Sequence, residues 1–324
     1  MSRSRHLVDP ELEGALASLP FRDLETADLA AVRAQMRQDV LQRAPAPGPG
    51  VRVEERRVDG PSGEIGVRVY RPAAGQGAGP AVLDIHGGGF VIGLAELNEA
   101  QNQRLAEEMG AVVVSPRYRL APESPHPGPV EDCYRALLWI VRNAAELGVD
   151  PNRIVVMGGS AGGALAAAVA LLARDRGEVP LAGQVLLWPM LDDRTCTSLD
   201  LNPYVGEFCW TAGDNRFGWR ALLGREPGGG DVSPYAAPAR AAALEGLPPT
   251  YIVTATLDLL LEEDIEYARR LMRAGVPTEL HVLPGGFHGF SRFAPEAEIS
   301  RALQQDIDRV LRRMLGIAAA RGNG

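Results

Sequence analysis

From Ala81 onward, short apolar runs alternate with longer stretches of helical periodicity, and glycine- or proline-rich loops separate them. Runs rich in Val, Ile and Leu that are flanked by helices are typical of strands buried on both faces of a parallel sheet. The sequence therefore predicts an α/β fold with a mostly parallel central sheet and helices on both faces. The predicted strands are 81–85, 111–116, 153–158, 183–189, 250–256 and 278–284, and the predicted helices lie near 96–109, 128–146, 161–175, 262–274 and 296–315.

Two regions depart from this alternation. In the part of the chain before Ala81, the pattern predicts an antiparallel strand pair at 51–58 and 64–70, joined by a "DGPSG" turn. Helices are predicted at 9–20, with Asp9 as N-cap and Pro10 at the first helical position, and at about 23–43. Within it, residues 190–248 are rich in Gly, Pro, Trp and Asp and lack strong periodicity, so we predict a lid over the carboxyl ends of the strands.

Composition excludes several classes of function. All 33 basic residues are arginine, which removes Schiff-base chemistry and the P-loop lysine. The net charge of −8 argues against nucleic acid and anionic membrane as partners. The cysteines at 133, 196 and 209 follow no metal-binding or paired spacing, the N-terminal residues contain no apolar signal core, and no apolar run approaches the length of a membrane span. We expect a cytoplasmic protein without a metal site.

A candidate nucleophile lies in the stretch "GGSAG" at 158–162, between a predicted strand and a predicted helix. This spacing fits GxSxG, in which a sharp strand-to-helix turn exposes the serine hydroxyl at the top of the sheet. The same residues do not fit the GxGxxG spacing of a dinucleotide fold. The alternative for Ser160 is that it only caps the helix that follows.

A serine hydroxyl needs a base, and among five histidines His288 is the best candidate. It follows the last predicted strand on a glycine-flanked loop, so it can reach a serine at the same edge of the sheet. His6 lies near the terminus, His86 in a glycine stretch, His126 between prolines and His281 inside a predicted strand.

The base needs a carboxylate that fixes its tautomer, and Ser, acid, His is one known chain order for such triads. Asp258 is preferred because it follows the strand directly before the one that delivers His288. Asp192 and Asp193 are the rival acids. Glu262, Glu263 and Asp264 fall in the first turn of a predicted helix, where partnership with the helix dipole explains them.

Residues 84–90, "DIHGGGF", place three glycines after a predicted strand. Because glycine leaves the backbone unobstructed, we expect the amides of Gly88 and Gly89, with that of Ala161, to stabilise the oxyanion of an acyl-transfer reaction. A tight turn alone would explain one or two glycines but hardly three. His86 and Gly87 complete the motif.

The pairing of "HGGG" at 86–89 with "GGSAGG" at 158–163 resembles the hormone-sensitive-lipase-like family of α/β-hydrolases, the bacterial family IV esterases. The resemblance extends over about residues 8 to 315. The blocks "GPVEDCY", "SPYAAP" and "LPPTY" look most like the branch that includes the bacterial heroin esterases. The similar stretches, some of which contain these blocks, are "YRLAPE" at 118–123, "HPGPVEDCYRAL" at 126–137, "DVSPYAAP" at 231–238, "GLPPTY" at 246–251 and "YARRLMRAGVPTELHVLPGGFHGF" at 267–290.

The resemblance implies an α/β-hydrolase fold with a helical cap and carboxylesterase activity on small esters without a cofactor. We divide the chain into an N-terminal helical cap segment (1–48), core (49–190), cap insertion (191–230) and core (231–324). The chain departs from the family at Gly159, where Asp is usual, at Ala164, where Asn is usual, and beside Asp258, where leucines replace the Pro and Arg of "DPLRDE". None of these changes removes a triad member.

The leading hypothesis is a serine carboxylesterase that hydrolyses small, short-acyl esters through an acyl-enzyme. The alternatives are an amidase or formamidase with the same triad, and a non-catalytic receptor like the plant gibberellin receptors, which lack the catalytic histidine. Expected partners are a small ester substrate and a second copy in a homodimer. Pocket candidates are Phe208, Trp210, Phe217, Trp219 and Leu259, with cap–core packing as the alternative, whereas Trp188 is expected to pack beside the strand end.

Overall fold

One sheet of eight strands organises the computed structural model, which describes residues 2–19, 23–60, 63–75, 77–195, 197 and 202–318. Its spatial order is β1-β2-β4-β3-β5-β6-β7-β8. β2 pairs antiparallel with both β1 and β4, and every other pair is parallel, as predicted. The strands are β1 (Val51–Gly60), β2 (Gly63–Pro72), β3 (Gly79–Ile85), β4 (Val112–Pro116), β5 (Val149–Gly159), β6 (Gly183–Leu187), β7 (Thr250–Ala255) and β8 (Thr278–Leu283).

Helices cover both faces of this sheet, so the predicted fold class is confirmed. Leu83 and Val82 of β3 point to opposite faces because side chains alternate along a strand. Helices α3, α5 and α7 pack on the first face, and α2 and α9 on the second. The helices are α1 (Leu29–Arg43), α2 (Glu99–Met109), α3 (Gly128–Arg142), α4 (Ala144–Leu147), α5 (Ala161–Arg176), α6 (Ala212–Leu223), α7 (Leu261–Arg273), α8 (Phe290–Phe293) and α9 (Glu298–Met314).

The central helix α5 is buried from Ala161 to Ala173, and alanine and glycine dominate this stretch. Small side chains let the helix approach the sheet closely. A Cβ on Gly163 would lie 2.8 Å from the Cβ of Pro189, so even a methyl group would need a shift there. This close packing fixes the first turn of α5, where the candidate nucleophile lies.

The helix predicted at 9–20 is not an α-helix. Asp9 accepts a hydrogen bond from the Glu11 amide, and a 3₁₀ helix then runs over Glu13–Ser18. In this tighter form, side chains three residues apart lie in line. Leu12 and Ala15 thereby both pack on the face that α9 covers. Residue 20 lies outside the described residues.

The helix predicted from about 23 begins six residues later, as α1. Asp28 is its N-cap, accepting hydrogen bonds from the amides of Ala30 and Ala31 at 3.0 and 3.3 Å. Asp23 instead binds the Glu25 amide in a separate turn. The local hydrogen bonds of Asp23 and Asp28 therefore determine where α1 begins.

Helices α1 and α6 lie over the loop that follows β3. Arg33 of α1 donates to the carbonyls of Val91 and Ala121 at 2.7 Å each, and Trp219 of α6 packs on Phe90 with ring centroids 5.2 Å apart. The region 190–248 thus contains a regular helix that its weak periodicity did not predict. The division of the chain into core and cap segments stays a prediction. No helix in the described part of the chain is both long enough and apolar enough to cross a bilayer.

Candidate active site

Ser160 lies at the turn between β5 and α5, with φ 57° and ψ −126°. A non-glycine residue rarely adopts positive φ, and such strain persists only where the surroundings impose it. The Ser160 amide donates to the carbonyl of Leu187 at 2.9 Å. A Cβ on Gly158 would lie 2.3 Å from the Gly162 carbonyl oxygen, and one on Gly162 would lie 2.6 Å from the His86 carbonyl oxygen, so this turn needs glycine at positions 158 and 162.

His288 lies between Ser160 and Asp258. Its Nε2 is 2.9 Å from Ser160 Oγ and its Nδ1 is 2.8 Å from Asp258 Oδ2. The second carboxylate oxygen of Asp258 accepts the Leu260 amide at 2.9 Å. All three residues of the predicted triad are less than a tenth exposed. The arrangement has the donor and acceptor contacts of a serine nucleophile, a base and an orienting acid.

The rival acids have other partners. Asp193 is fully buried and forms a bidentate ion pair with Arg240, at 2.7 and 2.9 Å. Asp192 pairs with Arg194 at the surface. Both carboxylates stabilise the loop after β6, and Asp258 is the acid that contacts the histidine.

Glu263 has a role that its position in the first turn of α7 did not predict, since partnership with the helix dipole was expected there. This carboxylate is buried at the start of α7 and accepts bonds from the Leu191 and Asp192 amides and from the Thr195 hydroxyl. Burial raises the pKa of Glu263 to about 8. It fixes the loop that follows β6, a contact over some 70 residues that local pattern does not reveal.

Within the described residues, His288 is the histidine that forms a hydrogen bond with the Ser160 hydroxyl. His281 of β8 is paired with Glu279 of the same strand and with Asp306 of α9, and the His126 backbone amide donates to the carbonyl of Leu222. His86 is buried, stacks on Tyr118 with centroids 4.2 Å apart, and places Nδ1 2.9 Å from the Gly87 carbonyl. Burial lowers the pKa of His86 to about 4.

Each glycine of the "HGGG" stretch is required for a different reason. A Cβ on Gly87 would lie 2.8 Å from the Gly159 carbonyl and 3.3 Å from the Cβ of Ser160. Gly88 has φ +125° and approaches the carbonyl of Ile92, and Gly89 has φ +58° and lies against the ring of Trp210. The stretch is therefore both a turn and a close approach to the serine.

Within the described ranges, the backbone amides of Gly88, Gly89 and Ala161 donate to no protein carbonyl. The amide of Ala161 is at the N-terminus of α5, where backbone donors have no partner within the helix and the dipole favours negative charge. Unpaired donors beside a buried serine suit an anionic oxygen on a bound molecule.

Among the pocket candidates, Trp210 has a ring contact with the triad, its centroid lying 6.1 Å from that of His288. Phe208 packs on Phe287 at 6.0 Å. Leu259 is buried against Gly206, and Phe217 is half-buried. Trp219, by contrast, is fully buried and packs on Phe90.

Trp188 follows β6 beside the strand end, as expected, but with φ +37°, which the sequence did not predict. Its ring lies edge-on to His288 at 6.3 Å. At Gly159, a Cβ would meet Trp188 Nε1 at 3.4 Å and Leu187 O at 3.7 Å. The backbone at Gly159 therefore has room for the Cβ of the family's Asp, so glycine is not required at this position.

No group of three or more His, Cys, Asp or Glu side chains in the described ranges is arranged to hold a metal ion. Cys133 is buried in the core, where burial raises its thiol pKa. Cys133 therefore adds no further group to the site.

A family model described as the alpha/beta hydrolase fold matches residues 82–292. Esterase LipI of Mycobacterium tuberculosis is 38% identical over 299 residues, 90% of this chain and 91% of its own. Carboxylesterase NlhH of the same species is 39% identical over 295 residues, 89% and 90% of the two chains. A solved bacterial heroin esterase superposes with a TM-score of 0.90 at 43% identity, covering 96% of this chain and 98% of its own. The chain therefore belongs to the hormone-sensitive-lipase-like family of α/β-hydrolases.

Proposed function

We propose that this protein is a serine carboxylesterase that hydrolyses small, short-acyl esters through an acyl-enzyme. The observation that carries the proposal is the position of the His288 ring, within 2.9 Å of Ser160 Oγ and 2.8 Å of Asp258 Oδ2. The esterase names of the similar proteins support the same reaction class.

In the first half of the reaction, Ser160 Oγ attacks the ester carbonyl carbon while His288 Nε2 takes the hydroxyl proton. Asp258 accepts the Nδ1–H bond and stabilises the resulting imidazolium. The carbonyl oxygen becomes an anion, which the amides of Gly88, Gly89 and Ala161 stabilise. Collapse breaks the bond to the alcohol, which leaves with the proton from Nε2.

In the second half, water replaces the alcohol. His288 removes a proton from the water, and the hydroxide attacks the acyl-enzyme carbon through a second oxyanion at the same amides. Collapse breaks the bond to Ser160 Oγ, which takes back a proton from Nε2, and the carboxylic acid is released. The residues of this chain supply every proton transfer in the cycle.

Labelling with a fluorophosphonate probe tests the nucleophile. We expect stoichiometric labelling of the wild-type protein and none of Ser160→Ala, because the probe needs an activated serine. A Ser4→Ala variant is the matched control, since Ser4 lies in the N-terminal segment bonded to Glu207. Equal labelling of Ser160→Ala and wild type would contradict the proposal.

Rates on p-nitrophenyl esters from acetyl to decanoyl test the substrate class, and we expect kcat/KM to be highest for the short acyl groups. Anilides of the same acids, run in parallel, measure the amidase alternative. No observation favours that alternative or a receptor, and His288 is present where the receptors lack a histidine. The cytoplasmic location and the homodimer stay predictions.

A further inference from the structure

The segment that carries Trp210 has a strained backbone. Cys209 has φ +65°, and the Trp210 amide donates to the carbonyl of Phe208 at 2.7 Å, so the chain makes a three-residue turn. Turns with positive φ at the central residue are rare, and such strain persists only where the surrounding structure imposes it. The turn directs the Trp210 side chain back toward the core.

The far side of the indole is also held. Its Nε1–H donates to Asn215 Oδ1 at 3.1 Å, and Asn215 is fully buried in α6. The Asn215 side-chain amide in turn donates to the carbonyl of Thr195 at 3.2 Å. The Trp210 ring is fixed both by the backbone turn and by the hydrogen bond of its N–H. It therefore forms a rigid surface in a defined position.

The fixed ring contacts the two parts of the site that face different oxygens of an ester. The Cη2 atom of Trp210 would be 2.3 Å from a Cβ built on Gly89, and the ring centroid lies 6.1 Å from that of His288. In addition, a Cβ on Gly218 of α6 would be 2.7 Å from the Gly89 carbonyl oxygen. The insertion is thus in direct contact with the glycine stretch.

These contacts decide which part of a substrate meets the ring. In the tetrahedral intermediate, one oxygen faces the Gly88 and Gly89 amides, and the alcohol oxygen faces His288, which protonates it. The acyl substituent occupies the remaining direction. Because the Trp210 ring contacts both Gly89 and His288, it lies beside the alcohol group of the substrate.

We infer that Trp210 is a specificity-determining residue that limits the size of the alcohol portion of the ester, and that Asn215 is the positioning residue that holds its ring. The inference rests on the proposed esterase function. It is separate from the preference for short acyl groups, because it concerns the other half of the substrate.

Two substrate series measure the two halves independently. The first keeps acetate and varies the alcohol from ethyl to butyl to cyclohexyl, and the second keeps ethanol and lengthens the acid from acetate to decanoate. Proton release in a pH-stat gives kcat and KM for wild type, Trp210→Ala and Trp210→Phe. Each result is a ratio of kcat/KM on one preparation, so partial unfolding of a variant cancels.

For Trp210→Ala we expect the cyclohexyl-to-ethyl ratio to rise about tenfold or more, mainly through a lower KM for the cyclohexyl ester. The decanoate-to-acetate ratio should change by less than about threefold. Trp210→Phe keeps a ring but loses the N–H donor and the outer edge, so a smaller rise of about threefold is expected. Trp139→Phe, a half-buried tryptophan of α3, is the matched control and should leave both ratios unchanged.

A double-mutant cycle tests the role of Asn215. Asn215→Leu keeps the branched shape of the side chain and removes the oxygen that accepts the Trp210 N–H, and we expect it to raise the cyclohexyl-to-ethyl ratio about as much as Trp210→Phe does. In the Trp210→Phe background, which has no indole N–H, the same change should add almost nothing. Independent, additive effects would show that Asn215 does not act through the tryptophan.

The inference is wrong if active Trp210→Ala and Trp210→Phe both keep the wild-type alcohol preference. It is also wrong if the acid series changes while the alcohol series stays flat. Absence of ester hydrolysis in the wild-type protein would instead contradict the proposed function, so the two failures are distinguishable.

Discussion

His86 and His288 each follow a strand, stand beside glycines and are almost fully buried, yet they have different partners. Nδ1 of His86 meets the carbonyl oxygen of Gly87 at 2.9 Å and its ring stacks on Tyr118. Nδ1 of His288 meets the carboxylate of Asp258 at 2.8 Å, and its Nε2 meets Ser160 Oγ. One ring supports a backbone loop, and the other joins a serine hydroxyl to a carboxylate.

The difference concerns which partner allows a buried histidine to carry a positive charge. A carbonyl accepts a hydrogen bond but compensates little of the cost of a buried positive charge, and burial accordingly lowers the pKa of His86 to about 4. A buried carboxylate compensates that charge directly. Placement on a glycine-flanked loop after a strand is common to both rings, so the partner of Nδ1 decides the role.

Replacement of Asp258 by Asn removes this distinction and should have the largest effect. We expect kcat to fall by about 10⁴, because an amide at this position favours the wrong tautomer of His288. Stopped-flow hydrolysis of p-nitrophenyl acetate measures it. Asp193→Asn, which weakens the buried ion pair with Arg240, should lower the melting temperature and change kcat by less than about threefold. Similar losses of kcat in the two variants would contradict the assignment of the acid.

Substitution of Gly89 by Ala alters the loop that His86 braces. The new Cβ would meet Trp210 and occupy a position with φ +58°, so the loop and its amide must move. We expect kcat to fall by about 10² to 10³, the cost of losing one oxyanion donor. In Gly14→Ala the added Cβ has no atom within 4 Å, so kcat should not change. A Gly89→Ala enzyme with wild-type kcat would show that this amide is not a donor.

Protonation of His86 makes the free energy of unfolding depend on pH. Its folded-state pKa lies near 4, below the ordinary value of 6.5, so the unfolded chain binds the extra proton as the pH falls between these values. The contribution of neutral His86 to the free energy of unfolding is fully present above pH 6.5. It decreases by up to about 3 kcal/mol as the pH falls to 4.

Urea unfolding of wild type and His86→Asn from pH 7 to pH 4 measures this linkage. Other buried groups titrate equally in both proteins, so the difference between the two curves isolates the imidazole. The variant should lose less stability on acidification than wild type. Parallel curves would show that His86 is not buried in its neutral form.

The smallest effect is expected for Tyr118→Phe. The Tyr118 hydroxyl donates to the His86 carbonyl at 2.9 Å, and phenylalanine keeps the stacked ring but not this bond. Loss of one such bond, about 1 kcal/mol, should lower kcat about fivefold while KM stays constant. Tyr134→Phe is the control, because that hydroxyl donates to Glu178 on another part of the molecule. A fall in stability with kcat unchanged would mean that the bond supports the fold and not the loop.

Most of the sheet could be predicted from the sequence because buried strands and covering helices leave a local signature. The serine turn and the glycine stretch were equally readable, since GxSxG and HGGG satisfy constraints within a few residues. The 3₁₀ form of Glu13–Ser18 was not, because Leu12 and Ala15 gain their burial from α9, far along the chain. Glu263 was misread for the same reason, as its partners lie about 70 residues away.

The sequence by itself determined the order of the elements and the small set of residues able to act as nucleophile, base and acid, because periodicity and motif spacing are local properties. Only the tertiary structure decided that Asp258 and not Asp193 meets His288, and that Trp210 lies on Gly89. Those contacts join residues as far apart as Ser160 and His288, separated by 128 positions, and packing against the sheet brings them together.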